Sequence, residues 1–328
     1  MVQFPALPMR KHWLLILQTS LSAFLLWRIF GNEALRAEAG RLLTSADPRW
    51  LAAGLGTAFL CELLCAVRWW IMLRIFGVPV SFPRTCAFAG AGLFFSLGLP
   101  GSGGGDAFRI IYVMRLYPEQ KLRAALSVVA DRLCGLAALL AAVTLPLVRW
   151  EMFAADPLSR ATLGVAAGTL LVAALLVFLW WLTTLPRLHA RWLPYVPKMI
   201  RPQADQLGQI FPWLGSHPRP VAAAVLVSGA ALAAHFTTYF FSARSFGLDL
   251  KLTDLFTVMP VVDTLTMLPV TLFGLGLRET LFEYLLGGLF QIAPGAATLA
   301  SLGGFGLQAV VGLCGGLLVP FTTARKDR

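Results

Sequence analysis

Long apolar runs separated by short polar, basic or proline-bearing joints set the plan of this chain. Runs over residues 13–30, 50–73, 124–148, 161–185, 221–243 and 296–321 have the length that crosses a roughly 30 Å hydrocarbon core at about 1.5 Å per helical residue, and they predict six full spans. Two further apolar stretches, 82–117 and 253–291, are broken in the middle. The first is cut by Leu99-Pro100-Gly101-Ser102-Gly103-Gly104-Gly105-Asp106-Ala107-Phe108-Arg109, and the second by Leu268-Pro269 and again by Gly274-Leu275-Gly276. Irregular backbone is tolerated at membrane depth only where it is buried in protein or lines a wet cavity, so each break marks a candidate site within a pair of helices that either re-enters or crosses fully. Arg10 and Lys11 ahead of the first run resemble a signal peptide, with Ala37-Glu38-Ala39 as a cleavage site. The run is long and that site lies well beyond its end, so an uncleaved span is expected.

The second break repeats the first. Arg-Ile-Phe-Gly from Arg74 and Arg-Ser-Phe-Gly from Arg244 share their Arg, Phe and Gly in register, and each is followed at a similar distance by Leu-Pro and a glycine-rich turn. The expected fold is an all-α polytopic membrane protein, a single membrane domain over 1–328, with repeat halves over about 50–148 and 221–321. A basic, proline-punctuated linker, 186–220, joins them, and 195–213 could form a helix on the membrane surface. An odd number of crossings separates the second span from the fifth, which reverses one half relative to the other, the inverted-repeat plan of many transporters.

Composition agrees with this reading: 58% hydrophobic and 13% charged residues, with a mean hydropathy of +0.74, exclude a soluble domain of this length. The net charge of +11 lies between apolar runs rather than on a basic face, which argues against nucleic acid. Instead it reports orientation. Placing the N-terminus on one side gives that side fifteen Lys and Arg residues against Glu119, Asp205 and Asp327, while the other side carries seven of each sign. By the positive-inside rule both termini are cytoplasmic. The five cysteines, Cys61, Cys65, Cys86, Cys134 and Cys314, sit in apolar context without ligand spacing and read as small buried hydrophobes, with no disulfide and no metal.

Eleven charged residues fall inside apolar stretches. Arg28 and Arg68 lie near span ends and read as snorkelling anchors. Glu62, Asp106, Arg109, Asp131, Arg132, Asp263, Arg278, Glu279 and Glu283 would each cost roughly 2.5–3.5 kcal/mol at a helix centre facing lipid, so they should face inward. A helix that starts after a glycine turn aims unpaired N–H groups into the turn and favours an anion there. Gly103, Gly104 and Gly105, with Asp106 as N-cap and Arg109 one turn on, form one such pocket; Gly274 and Gly276 with Arg278 form its counterpart. Arg109, Arg132 and Arg278 are candidate phosphate ligands by charge and fork geometry. Asp106, Glu279 and Glu283 could hold these arginines, bind a cationic head group or carry protons; equally, Asp106 could only cap its helix and the arginines only neutralise buried acids. Asp131 and Arg132 are adjacent, point apart on a helix and need partners elsewhere. His235 reads as a satisfied interior histidine. The glycines lack a βαβ setting for a dinucleotide, and no Walker lysine, nucleophile elbow or zinc motif occurs.

Three segments together, Phe94 to Arg109, Ala130 to Leu136 and Leu268 to Glu279, resemble the flippase-like family named after the transmembrane region of lysylphosphatidylglycerol synthase. The resemblance runs from about Arg10 to Pro320, and the pairing of the glycine block with Asp131-Arg132-Leu133 carries its specificity. It implies a bacterial or archaeal cytoplasmic-membrane protein with two re-entrant helix pairs that moves lipids between leaflets. The shared positions are Pro100, Gly104, Gly105, Asp106, Arg109, Asp131 and Arg132, then Pro269, Gly274, Gly276, Arg278 and Glu279. Bifunctional members add a large soluble aminoacyl-transfer domain for which this chain has no room, so lysyl transfer is not expected. Stand-alone relatives are tied to other lipids, including hopanoid-linked and polyprenyl-linked ones. The leading expectation is a flippase-type transporter, not an enzyme and without cofactor, for a lipid with an anionic head group. The alternatives are an intramembrane transferase acting on a lipid phosphate, or a non-catalytic partner of a lipid-biosynthesis enzyme.

Overall fold

The computed structural model describes residues 20–322 except 22, 26, 28–30, 32, 99–103, 186–187, 190, 192, 198, 200, 209, 269 and 272–273. Most of the first expected span, together with Arg28, Pro100, Gly103 and Pro269, lies outside the described residues. Within them the regular structure is helical: α1 (Glu33–Thr44), α2 (Pro48–Ile75), α3 (Phe82–Gly98), α4 (Gly104–Leu116), α5 (Lys121–Ala142), α6 (Pro157–Thr184), α7 (Arg201–Gly208), α8 (Ile210–Ser216), α9 (Pro218–Ser245), α10 (Leu252–Thr266), α11 (Leu277–Phe290) and α12 (Pro294–Gly316), with shorter turns between. Among the described residues, five segments are long and apolar enough to cross a membrane: α2, the run Pro118–Val148 that contains α5, α6, α9 and α12. The chain is a multi-pass membrane protein.

Local chemistry starts and stops the spans. Asp47 and Asp156 precede Pro48 and Pro157, and their carboxylates accept from the amides of Arg49 (2.8 Å) and Ser159 (2.7 Å), an N-cap followed by proline in the first turn. The spans α2 and α9 end alike. Gly77 (φ 70°) and Gly247 (φ 76°) take the left-handed conformation. Gly77 and Val78 donate back to Arg74 and Leu73, as Gly247 and Leu248 donate to Arg244 and Ala243, which satisfies the last carbonyls of each span. Helices of 28, 17, 13 and 22 residues follow from Pro48; from Pro218 the lengths are 28, 15, 14 and 23.

The two 28-residue helices lie side by side and antiparallel. Trp50 stacks on Phe241 with ring centroids 5.6 Å apart, the Thr57 and Thr238 hydroxyls meet at 2.9 Å, and Arg68 Nη1 reaches Ser228 Oγ at 3.4 Å. Partner numbers fall as the α2 numbers rise. Around this pair the apolar core divides in two, one cluster built on Trp69, Met72, Phe88, Val113 and Leu126, the other on Tyr239, Val258, Phe282, Leu285 and Ala300. Helix α12 packs on α9 and crosses to α3, and the crossing is close enough that a Cβ on Gly315 would run into the carbonyl oxygen of Gly90. Small residues at helix crossings let dispersion contacts build where no water drives association.

In the linker, α7 and α8 lie on either side of residue 209, and Ile210 is fully buried in the first core. Arg123 lies 5.2 Å over the Trp213 ring, which itself meets Phe76 edge-on at 5.0 Å. The apolar face of α8 has found protein to bury against. Arg74 over Trp70 and Arg115 over Tyr112 add further cation–aromatic pairs at this end of the helices, the amphipathic girdle expected at a membrane boundary.

Candidate functional site

The first break brings three acids and three arginines to one place. The carboxylate of Asp131 on α5, fully buried, accepts from Arg68 of α2 through both oxygens, Nε to Oδ1 at 2.5 Å and Nη2 to Oδ2 at 3.1 Å. Arg132, one residue on and pointing elsewhere, holds Asp106 of α4 with two bonds of 2.7 Å. Arg109 lies between these pairs: its Nη1 is 3.8 Å from Asp106 Oδ1 and 3.9 Å from Asp131 Oδ2, beyond hydrogen-bond range. Its guanidinium sits 5.2 Å over the Trp69 ring, and its Nε is buried with no hydrogen-bond partner among the described residues. A cavity of about 160 Å³ opens beside it, lined by Arg109, Arg132, Arg68, Asp106 and Glu62 among others.

This arrangement corrects two sequence expectations. Arg68 is not a snorkelling anchor; it is 8% exposed and makes the two-toothed pair with Asp131. An arginine near the end of an apolar run can reach either water or a buried acid, and the acid here lies 63 positions away, out of reach of a local pattern. Nor is Asp106 an N-cap. Helix α4 already begins at Gly104, so Asp106 stands inside its first turn and is free to face Arg132.

Gly105 sets how closely α3 and α4 approach. A Cβ there would collide with Ser96 Oγ and with the carbonyl oxygen of Gly92, and Arg109 is one turn further along the same helix. Gly105→Ala is expected to lower stability by about 1–3 kcal/mol through overpacking, read as a fall in melting temperature in detergent, and to displace Arg109 with the helix.

The second break is built differently. Gly274 (φ 73°) and Gly276 (φ 83°) turn the backbone through the left-handed region that side chains with a Cβ rarely enter. A Cβ on Gly274 would stand 3.2 Å from Arg278 Nη2, so the turn lies against that guanidinium, which also sits 5.0 Å over Phe305. Glu279 has both oxygens engaged: Oε2 accepts from the Gly276 amide at 2.6 Å, and Oε1 from the Ser301 hydroxyl at 2.9 Å. It is fully buried and fastens the start of α11 to α12.

Between the halves lies a larger cavity of about 480 Å³. Its wall shares Cys65, Arg68, Leu93, Ser96 and Arg132 with the smaller one, so the two adjoin across these side chains. From the second half it takes Asp263, Thr266, Thr271, Gly274, Phe305 and Gln308, and Leu97, Leu136, Leu139 and Leu232 make its apolar faces. Of the expected site residues, Gly105, Asp106, Arg109, Arg132 and Gly274 line this double cavity, while Asp131 stands behind Arg68 as its counter-charge.

Sequence reasoning passed over one network on this wall. His235 Nε2 lies 3.1 Å from Asp263 Oδ2, and its Nδ1 lies 2.5 Å from Gln308 Nε2. The three come from α9, α10 and α12, so no spacing within one helix could reveal them.

A pocket of arginines and carboxylates at the foot of leucine walls, inside a bundle whose outer helix α6 exposes Leu171, Val172, Leu176 and Phe178, suits a ligand that is charged at one end and apolar at the other. No curated protein matches the chain. The model of the lysylphosphatidylglycerol synthase TM region does match it, over residues 15–316, and the chain therefore belongs to that family, whose role is related to membrane lipids.

Proposed function

We propose that the protein is a flippase-type transporter of the bacterial cytoplasmic membrane that moves a phosphate-bearing lipid between leaflets. One observation carries the reading: a leucine-walled cavity adjoins, across Arg68 and Arg132, a smaller one lined by Arg109, a buried guanidinium whose Nε has no partner among the described residues. A phosphate beside Arg109 would occupy that Nε and accept a further charge-assisted bond from Arg132, while the acyl chains follow the leucines toward the bilayer. Arg278 serves the same group from the opposite half when the site faces the other leaflet.

The movement we infer is a rocking of two inverted repeats. It is supported by the antiparallel course of α2 and α9, by their matched glycine caps and by the parallel series of helix lengths that follows each. The broken helices α3, α4, α10 and α11 have 17, 13, 15 and 14 residues, about 20–26 Å at 1.5 Å per residue, each short of a roughly 30 Å core. That favours re-entrant pairs with both termini of the chain cytoplasmic.

The test is transbilayer movement of fluorescent phospholipids in liposomes holding the purified protein. Wild type should accelerate movement, and Arg109→Ala and Arg278→Ala, each still monodisperse and folded, should each slow it at least tenfold. Equal rates in wild type and both variants would refute a phosphate site at these arginines.

A further inference from the structure

The His235 network faces the cavity but plays no part in holding a phosphate. We propose that His235 and Asp263 form the proton-binding site of the transporter, and that lipid movement is coupled to protons through them; the inference rests on the transport reading above. Asp263 and Gln308 line the same cavity as Arg132, so a proton taken up at His235 changes the charge that the head group meets.

Gln308 Nε2 stands 2.5 Å from Nδ1; with the amide donating there, the single proton of a neutral imidazole is on Nε2, pointing at Asp263. A second proton on the ring converts this contact into an ion pair and requires the Gln308 side chain to turn its oxygen toward Nδ1. The network thus has two discrete hydrogen-bonded states, as a switch needs.

The charges around the cavity give the sign. The helices packed on α9 bring Glu62 and Arg68 from α2, Asp131 and Arg132 from α5, and Asp263 from α10, while α12 offers the neutral Gln308. Beyond the aromatic ring of Tyr239, whose centroid is 5.3 Å from that of His235, Arg278 and Glu279 balance each other. Glu62 lies within electrostatic reach of both Arg109 and His235. Arg109 of α4 completes the set. Protonation of His235 adds one positive charge to these surroundings, which favours an anionic head group in the cavity. By linkage, the anion then favours proton uptake as much as the proton favours the anion, and one crosses with the other.

The experiment uses liposomes of phosphatidylglycerol and phosphatidylcholine containing the full chain. Movement of fluorescent phosphatidylglycerol is followed from pH 5 to 8 and under an imposed pH gradient, with a trapped pH dye reporting lumenal protons. Wild type is expected to move lipid about tenfold faster at pH 5.5 than at pH 7.5, with lipid-dependent proton flux. His235→Gln should still move lipid, at one rate across the range and with no flux. Asp263→Asn should alter the pH response, because the imidazolium loses its counter-charge. A wild-type rate that does not change with pH, or a pH response unaltered in both variants, would overturn the proton site and leave transport standing. No lipid movement by wild type at any pH would overturn both readings.

Discussion

Asp131→Ala should cost about 3–5 kcal/mol of stability, the penalty of leaving a buried guanidinium without its counter-ion. The carboxylate of Asp131 is fully buried, and Arg68 has few alternatives: its third nitrogen makes only the 3.4 Å contact with Ser228. Thermal unfolding in detergent or nanodiscs reads the loss directly. Replacing both members, Arg68→Met with Asp131→Leu, removes the charge as well as its partner and is expected to restore most of the melting temperature, since well-packed apolar pairs commonly match buried ion pairs. A double variant as unstable as Asp131→Ala would show that packing, not charge, carries the effect. Activity separates from stability in this pair. The double variant should fold yet handle lipid differently, because Asp131 also stands 3.9 Å from Arg109 and helps to set its position.

Arg132→Ala should abolish lipid movement nearly as fully as loss of Arg109, by about 10–100-fold, the range that one or two charge-assisted hydrogen bonds supply. In the intact protein Arg132 holds both oxygens of Asp106. Once released, Asp106 has Arg109 as its nearest cation, 3.8 Å away, and only a small rotamer change closes that gap. The anion site is then occupied by the protein's own carboxylate. Adding Asp106→Asn to Arg132→Ala removes the competitor, and should recover most of the rate though not the contact that Arg132 itself makes. If the second change restores nothing, Arg132 acts on the lipid alone and Asp106 is not held in check.

Five of the six expected spans could be read from apolar run length alone, with bounds a few residues off: 50–73 becomes Pro48–Ile75, 221–243 becomes Pro218–Ser245 and 296–321 becomes Pro294–Gly316; the run 13–30 lies largely outside the described residues. The extra residues are the proline and the capped turns, which hydropathy does not register. The second break was equally plain, with α10 ending at Thr266 and α11 starting at Leu277, because proline and clustered glycine have no place in lipid-facing helix; residues 99–103 of the first lie outside the described residues. Ion pairing was not so plain. Burial cost shows that Asp131 and Arg132 need partners, but which charge each meets depends on how α2, α4 and α5 pack. The same holds for His235, whose acid and amide come from other helices. Arg68 is the instructive failure: position in the run suggested water, and tertiary packing supplied an acid.

The pairing of Arg68, Asp106, Arg109, Asp131 and Arg132 bears on how the chain is made. All five precede residue 133, and the bonds among them span only α2, α4 and α5. Each of these side chains would be costly in hydrocarbon on its own. Once α5 has left the ribosome, Arg68 has Asp131 and Arg132 has Asp106 within the nascent half, with Arg109 3.8 and 3.9 Å from the same two acids, and that half can move sideways out of the insertion machinery without waiting for the rest. The second half, with its own core, then docks α9 along α2. Synthesis order and charge pairing run in step, so the bilayer never has to shelter an arginine whose partner has yet to be translated.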